Sequence, residues 1–226
     1  MVETRAQTCR PLRPLRKDAE RNRQRILEAA RKLLAEQGMA VSHDQLAEAA
    51  DVAVGTVYRR FPDKDSLLEA LFTEDMNRVV AIAHGALLVE DPWEGLVQFV
   101  TQGLEMQAGN RGLKEFLMYN VTSETMTDCR NKLMPLIEQL VARAHAAGRL
   151  RPGVSAADLG LVPVMMGPVL DGCREVSPDL WRRSLQIVLD GLRACADERV
   201  ELPPVDLSAE DMFEVMRCSH VAPARR

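Results

Sequence analysis

Four residues with useful chemistry lie close together in this chain: Thr56, Tyr58, Arg59 and Arg60. On a helix they fall within a turn and a half. Hydroxyl and guanidinium groups bind phosphate oxygens and base edges, and a helix fits the major groove of duplex DNA. Enzyme chemistry has weaker support. The sequence holds no nucleophile elbow, P-loop, dinucleotide-binding glycine pattern or HExxH, and Asp171 and Glu175 share a helix face without matching histidine partners. No catalytic residue is assigned. The five cysteines (Cys9, Cys129, Cys173, Cys195, Cys218) are scattered without a CxxC pair, and the four histidines do not cluster with them. Neither a disulfide framework, a metal site nor a cofactor is expected.

The stretch SHDQLAEAADVAVGTVYRRFPDKDSLL, residues 42–68, must position the donors. It reads as two short helices joined by a tight turn, followed by the start of another. Ser42 and Gln45 form a capping box. Leu46, Ala47 and Ala50 make a buried stripe. Asp51 stands where the chain must turn sharply, and Asp tolerates a left-handed conformation better than most residues. The next helix covers about 53–60, with Val57 and Phe61 inward. Pro62 and Asp63 break it, and Asp63 caps a long helix that reaches about Leu88, with Leu67, Leu68, Leu71 and Phe72 on its apolar face. Ahead of this block, Ile26, Ala30, Leu33 and Leu34 mark a helix over about 18–37, stopped by Gly38.

The remaining chain reads as helices throughout. Hydrophobic residues make up 46% and aromatics only 4%, a balance that favours helices over a β-sandwich. Helix starts are expected at Asp91-Pro92-Trp93-Glu94, after Asn110-Arg111-Gly112, near 124, at Ser155-Ala-Ala-Asp158 and at Ser177-Pro178-Asp179. The helix from 124 should end near 147, before Gly148. The last large helix has Leu180, Leu185, Val188, Leu189 and Leu192 as its core stripe. Pro163 and Pro168 should bend or interrupt the helix before it. A short peripheral helix is expected after Pro203-Pro204. No strand-like alternation is found. The fold class is all-α, divided into a disordered basic arm (1–17), a helix-turn-helix head (18–65), a helical body (66–200) and a tail (201–226).

Charge is unevenly spread. Residues 1–25 carry eight basic groups against three acids, whereas residues 70–226 carry 16 against 22. A basic arm on an acidic body suits a polyanion partner, although a solvated tail gives the same pattern. No apolar run approaches the ~20 residues of a membrane span. The N-terminus lacks the apolar centre of a signal peptide. No membrane partner and a cytoplasmic location are expected.

The segment V-x-V-G-T-V-Y-R-R-F-P-D-K-D-S-L-L, preceded by N-R-Q-R-I-L-E-A-A, resembles the TetR-type (tetracycline repressor-like) transcriptional regulators. The match covers about residues 20–72. Gly55, Thr56, Tyr58, Phe61, Lys64 and Leu67 fall where that pattern places them, and the rest matches only in helical layout. The resemblance implies a homodimer with a three-helix DNA-binding head, a larger ligand-binding body, and repression relieved by a small molecule. It implies that Thr56, Tyr58 and Lys64 meet phosphates, Lys64 from the first turn of a helix. Arg23 takes a backbone-contacting position. Gly55 allows close approach. Val54, Arg59 and Arg60 are the base readers. Ser42, His43 and Asp44 lie where the family can reach DNA. Three departures stand out: Asp51 replaces the usual turn Gly, Ala53 replaces a frequent Ser cap, and Asp44 cannot bind phosphate but at most accepts from a cytosine amine.

An effector pocket is expected in the body. Flexible methionines suit a site for varied apolar ligands. Its candidate residues are Met106, Met126, Met134, Met165 and Met166, with Trp93, Phe99, Phe116 and Tyr119 as walls. Ordinary core filling is the competing account. The last two large helices, with small and apolar residues around Gly167, are the dimerisation candidates. The functional expectation is therefore a ligand-responsive regulator, most simply a repressor, that binds a pseudo-palindromic double-stranded DNA operator and is released by a small apolar effector. A helical enzyme or a scaffold that does not bind DNA are the alternatives.

Overall fold

The computed structural model describes residues 13–37, 40–109, 123–195, 201–203 and 211. Eight α-helices occur among them: α1 (Arg13–Gln37), α2 (His43–Ala50), α3 (Val54–Arg60), α4 (Lys64–Leu87), α5 (Pro92–Gly109), α6 (Ser123–Ala146), α7 (Ala156–Cys173) and α8 (Leu180–Leu192). No strand occurs among the described residues, only an isolated antiparallel bridge between Leu150 and Arg193. The chain divides into two compact units, a head ending at Leu67 and a body beginning at Leu68. Five expectations lie outside the described residues: the arm over 1–12, the Gly38 stop, the helix after Gly112, the helix after Pro204, and the pocket walls Phe116 and Tyr119.

The head forms as its caps and stripes dictate. α1 packs on α2, and α2 on α3. Ile26, Leu27, Ala30, Leu34, Leu46, Ala47, Ala50, Val57 and Phe61 are all buried. α1 starts at Arg13, earlier than the expected residue 18. Pro14 fits there because the first turn of a helix has no use for its missing N–H. The Ser42–Gln45 capping box is present in both directions. Asp51 adopts φ 49°, ψ 55°, and its N–H bonds back to α2. It is the one non-glycine residue with positive φ among those described. Ala53 stands at the N-cap of α3 with no side-chain hydrogen bond. Asp63 Oδ1 accepts the Ser66 N–H at 2.8 Å and so opens α4.

In the body, α5 packs on α6 and α7, and α7 packs on α6 and α8. Trp93, Leu96, Leu104, Ile137, Leu140, Leu159, Val162, Leu170, Leu185 and Leu189 belong to one buried cluster. Asp91 Oδ1 accepts the N–H groups of Trp93 (2.8 Å) and Glu94 (3.2 Å) at the start of α5. Ser155 and Asp158 form a second capping box. Gly148 has φ +64° just past α6. Gly95 marks a close approach, since a Cβ there would sit 2.5 Å from the Ala86 carbonyl oxygen.

Three expectations for the body need correction. Of the two outcomes expected at Pro163 and Pro168, a bend or an interruption, the interruption does not occur: both lie inside a continuous helix. Each proline removes one backbone N–H from the helix, and Gln107 Nε2 donates to the Pro163 carbonyl at 3.2 Å. α7 is also long and apolar enough, by length and composition, to cross a membrane. The sequence expectation allowed no such run. Here the helix instead supplies core residues between α5, α6 and α8. Finally, Leu180 is exposed and Trp181 takes the first core position of α8. The buried stripe begins one residue later than expected, at Trp181, Leu185 and Leu189, and Asp179 makes no side-chain cap bond.

Candidate nucleic-acid interface

Helix α3 is a seven-residue rod with one side in the core and the other in solvent. Val57 and the following Phe61 are buried, which turns the intervening residues outward. Tyr58 keeps 51% of its surface exposed, and Val54 is exposed beside it. Gly55, Arg59 and Arg60 are exposed, and Thr56 is half-buried. A Cβ at Gly55 would meet nothing within 4 Å. Glycine in a helix interior costs about 1 kcal/mol relative to Ala, yet no crowding within the protein requires it here.

The flanking residues frame this rod. Ser42 caps α2, with its Oγ accepting the Gln45 N–H at 3.2 Å. The cap uses the oxygen as acceptor and leaves the hydroxyl proton for another partner. Asp44 is exposed in the first turn of α2. Lys64, the first residue of α4, is half-buried. Arg23 is half-buried on α1, with Nη1 3.6 Å from Glu20 Oε1. The Asp63 carboxyl is held below the usual carboxylate range, chiefly by the Ser66 backbone N–H, with the Ser66 side chain and the nearby His43 adding to the effect.

His43 is the residue whose setting differs most from the sequence reading. Its Nε2 lies 2.9 Å from the Phe61 carbonyl oxygen, and its ring stacks on Tyr58 with centroids 4.4 Å apart and planes 8° from parallel. Arg25 was not singled out from sequence. Its Nη2 donates to Asp51 Oδ2 at 2.7 Å, which supplies a counter-charge for the acid in the turn. The departure at Asp51 was the available signal: a carboxylate in a tight turn calls for a basic partner.

The chain's similarities to known proteins agree with this geometry. Residues 26–71 match the family model of bacterial regulatory proteins of the tetR family. Residues 91–194 match the C-terminal domain of SbtR-like transcriptional regulators. A TetR transcription regulatory protein from Mycobacterium vanbaalenii is 31% identical, with 80% of this chain and 100% of that one covered and a TM-score of 0.63. The chain belongs to the TetR family of transcriptional regulators. A TetR regulator from Streptomyces coelicolor is 28% identical over 77% of this chain and 99% of its own, with a TM-score of 0.61. An HTH-type transcriptional regulator from Staphylococcus aureus is 37% identical over 78 residues, 34% of this chain. That match spans 41% of the staphylococcal protein's length. The head is thus the TetR-family helix-turn-helix, with α3 as its second helix.

The expected pocket residues differ in their settings. Trp93, Phe99, Met134 and Met166 are buried in the body's core cluster. Met106 is half-buried on α5. Met126 lies on α6, but its side chain is outside the described residues. Met165 is 55% exposed. Successive helical residues point about 100° apart, so Met166 is buried while its neighbour Met165 lies on the exposed side of α7. Cys129 is buried and its thiol is pushed up by desolvation.

Proposed function

We propose that this TetR-family protein is a ligand-responsive repressor that binds a pseudo-palindromic operator as a homodimer. The observation that carries the reading is α3 itself, which buries Val57 and turns Tyr58, Arg59 and Arg60 to solvent beside a glycine no internal contact demands. In this reading Thr56, Tyr58, Lys64, Arg23 and Ser42 hold phosphates. Val54, Arg59 and Arg60 read base edges, and Asp44 accepts from a cytosine amine if it reaches one. Two such heads read half-sites about 34–36 Å apart.

Dimerisation is assigned to α7 and α8. Met165 and Ile187 expose large apolar surface on those two helices, with Ile187 66% exposed, and a partner helix pair would cover it. The effector is assigned to the apolar body near Trp93, Phe99, Met134 and Met166. It acts by binding better to the form whose head spacing misfits the operator, because only differential affinity shifts such an equilibrium. The test is a mobility-shift assay on duplexes selected by the wild-type protein. Tyr58→Ala and Lys64→Ala should each weaken binding about tenfold at fixed salt, by loss of a phosphate contact worth about 1.4 kcal/mol. Unchanged affinity in both variants contradicts the contact assignment, and a monomer by light scattering at micromolar concentration removes the dimer.

A further inference from the structure

We infer that His43 is a positioning residue for Tyr58, setting that side chain for DNA through their ring stack instead of touching DNA itself. The inference rests on the DNA-binding reading above. His43 opens α2, while Phe61 is the C-cap of α3, 18 residues away. The Phe61 carbonyl can only accept a hydrogen bond, so His43 Nε2 carries the proton between them. That bond anchors one edge of the imidazole to the end of α3. The face of the same ring then lies on Tyr58, 4.4 Å away and nearly parallel. One side chain therefore holds α3 twice, by its backbone at Phe61 and by its aromatic ring one turn earlier.

Tyr58 needs such support because half of its surface is in solvent. An exposed side chain exchanges rotamers in picoseconds to nanoseconds, and ordering it on binding costs affinity. A ring clamped on one face keeps its hydroxyl in place before DNA arrives. The chemistry of position 43 follows from the two tasks. An aliphatic side chain could pack on Tyr58 but not bond the carbonyl. A glutamine could bond the carbonyl but not stack. Histidine does both.

The competing roles make different predictions. A direct cationic contact from His43 would release one counterion, and its removal would flatten the salt dependence of binding by about one unit. A purely structural role would lower head stability without changing the affinity of the folded protein. The experiment measures duplex affinity against salt for full-length variants, with a duplex selected by the wild-type protein from a random-sequence pool. His43→Ala should weaken binding about two- to tenfold, the size of an aromatic stack, and leave the salt slope unchanged. His43→Phe should restore most of the loss, and His43→Gln should restore little. In a Tyr58→Ala background, His43→Ala should cost less than twofold more, because the residue acts through the missing ring. If His43→Ala does not fold, the Phe and Gln variants carry the comparison. Losses at His43 and Tyr58 that multiply, a flattened salt slope, or a Phe variant as weak as Ala overturn the inference while leaving the DNA-binding reading standing. A wild-type protein that retains no duplex from the pool overturns both.

Discussion

Head and body are both all-helical, yet they are held together over different distances along the chain. The head's side-chain bonds are mostly local: Ser42 to Gln45 and Asp63 to Ser66 span three residues, and the longer reaches, His43 to Phe61 and Arg25 to Asp51, span 18 and 26. The body has local bonds of the same kind, at Asp91 and Ser155, and adds ties of much greater span. Arg143 donates to the carbonyls of Leu87 (2.6 Å) and Val89 (2.9 Å), 56 and 54 residues away, and so latches the end of α4 to α6. Gln107 reaches Pro163 across 56 residues, and Arg182 reaches Glu105 across 77. A short reach can be anticipated from spacing, whereas a long one depends on how helices come together.

That contrast can be broken at its strongest point. Arg143→Ala should lower body stability by about 3 kcal/mol, since it removes two charge-assisted bonds, one to the helix-end carbonyl of Leu87 and one to the carbonyl of Val89 just beyond it. Denaturant unfolding followed separately in the two units should show the loss in the body alone. An equal loss in the head would mean that the units do not unfold independently. Gly95→Ala comes next, at about 2 kcal/mol, because its methyl group would strike the Ala86 carbonyl and force α4 and α5 apart. Wild-type thermal stability in that variant would show that the close approach relaxes without strain.

The head should respond with the opposite sign. Gly55→Ala should raise its stability by about 0.8 kcal/mol, the ordinary helix-propensity gain, while duplex affinity falls. Affinity that rises along with stability would remove the case for close approach to DNA. The smallest effect compares the two units by pH. Asp63 in the head and Asp91 in the body both have carboxyl groups held below the ordinary value of 3.8, Asp63 mainly by the Ser66 N–H and Asp91 mainly by the Glu94 N–H. A lowered carboxyl pKa adds stability that is complete above the ordinary value and is lost as pH falls through the lowered one. Both caps should therefore weaken only below about pH 4. Asp63→Asn and Asp91→Asn should flatten the acid limb of the stability profile, and an unchanged limb would deny the caps that role.

The balance of what was legible follows the same division. Capping boxes at Ser42 and Ser155, the left-handed Asp51, the uncapped Ala53 and the α3 rod were all readable, because each depends on residues within a few positions. Even so, the phase of α8 was missed at Leu180, since Trp181 competes for the core and only packing decides between them. The prolines of α7 misled for a related reason. Local rules count the lost N–H groups, yet the helix runs through both positions while packed against α5, α6 and α8. His43 shows the limit within the head itself. Its type and place were legible, but the ring beneath Tyr58 and the bond to Phe61 were not.

By itself, the order of residues determined that the chain is helical, where most helices begin and end, and that one short helix presents hydroxyls and guanidinium groups near Gly55. Those properties come from caps, turns and a 3.6-residue period, all of which act over a few residues. Tertiary structure alone decided which methionines are buried, that Arg25 answers Asp51, that Arg143 closes the end of α4, and that His43 serves α3. Each of these needs two segments brought together by the burial of apolar surface elsewhere, and no local pattern records which partner that burial selects.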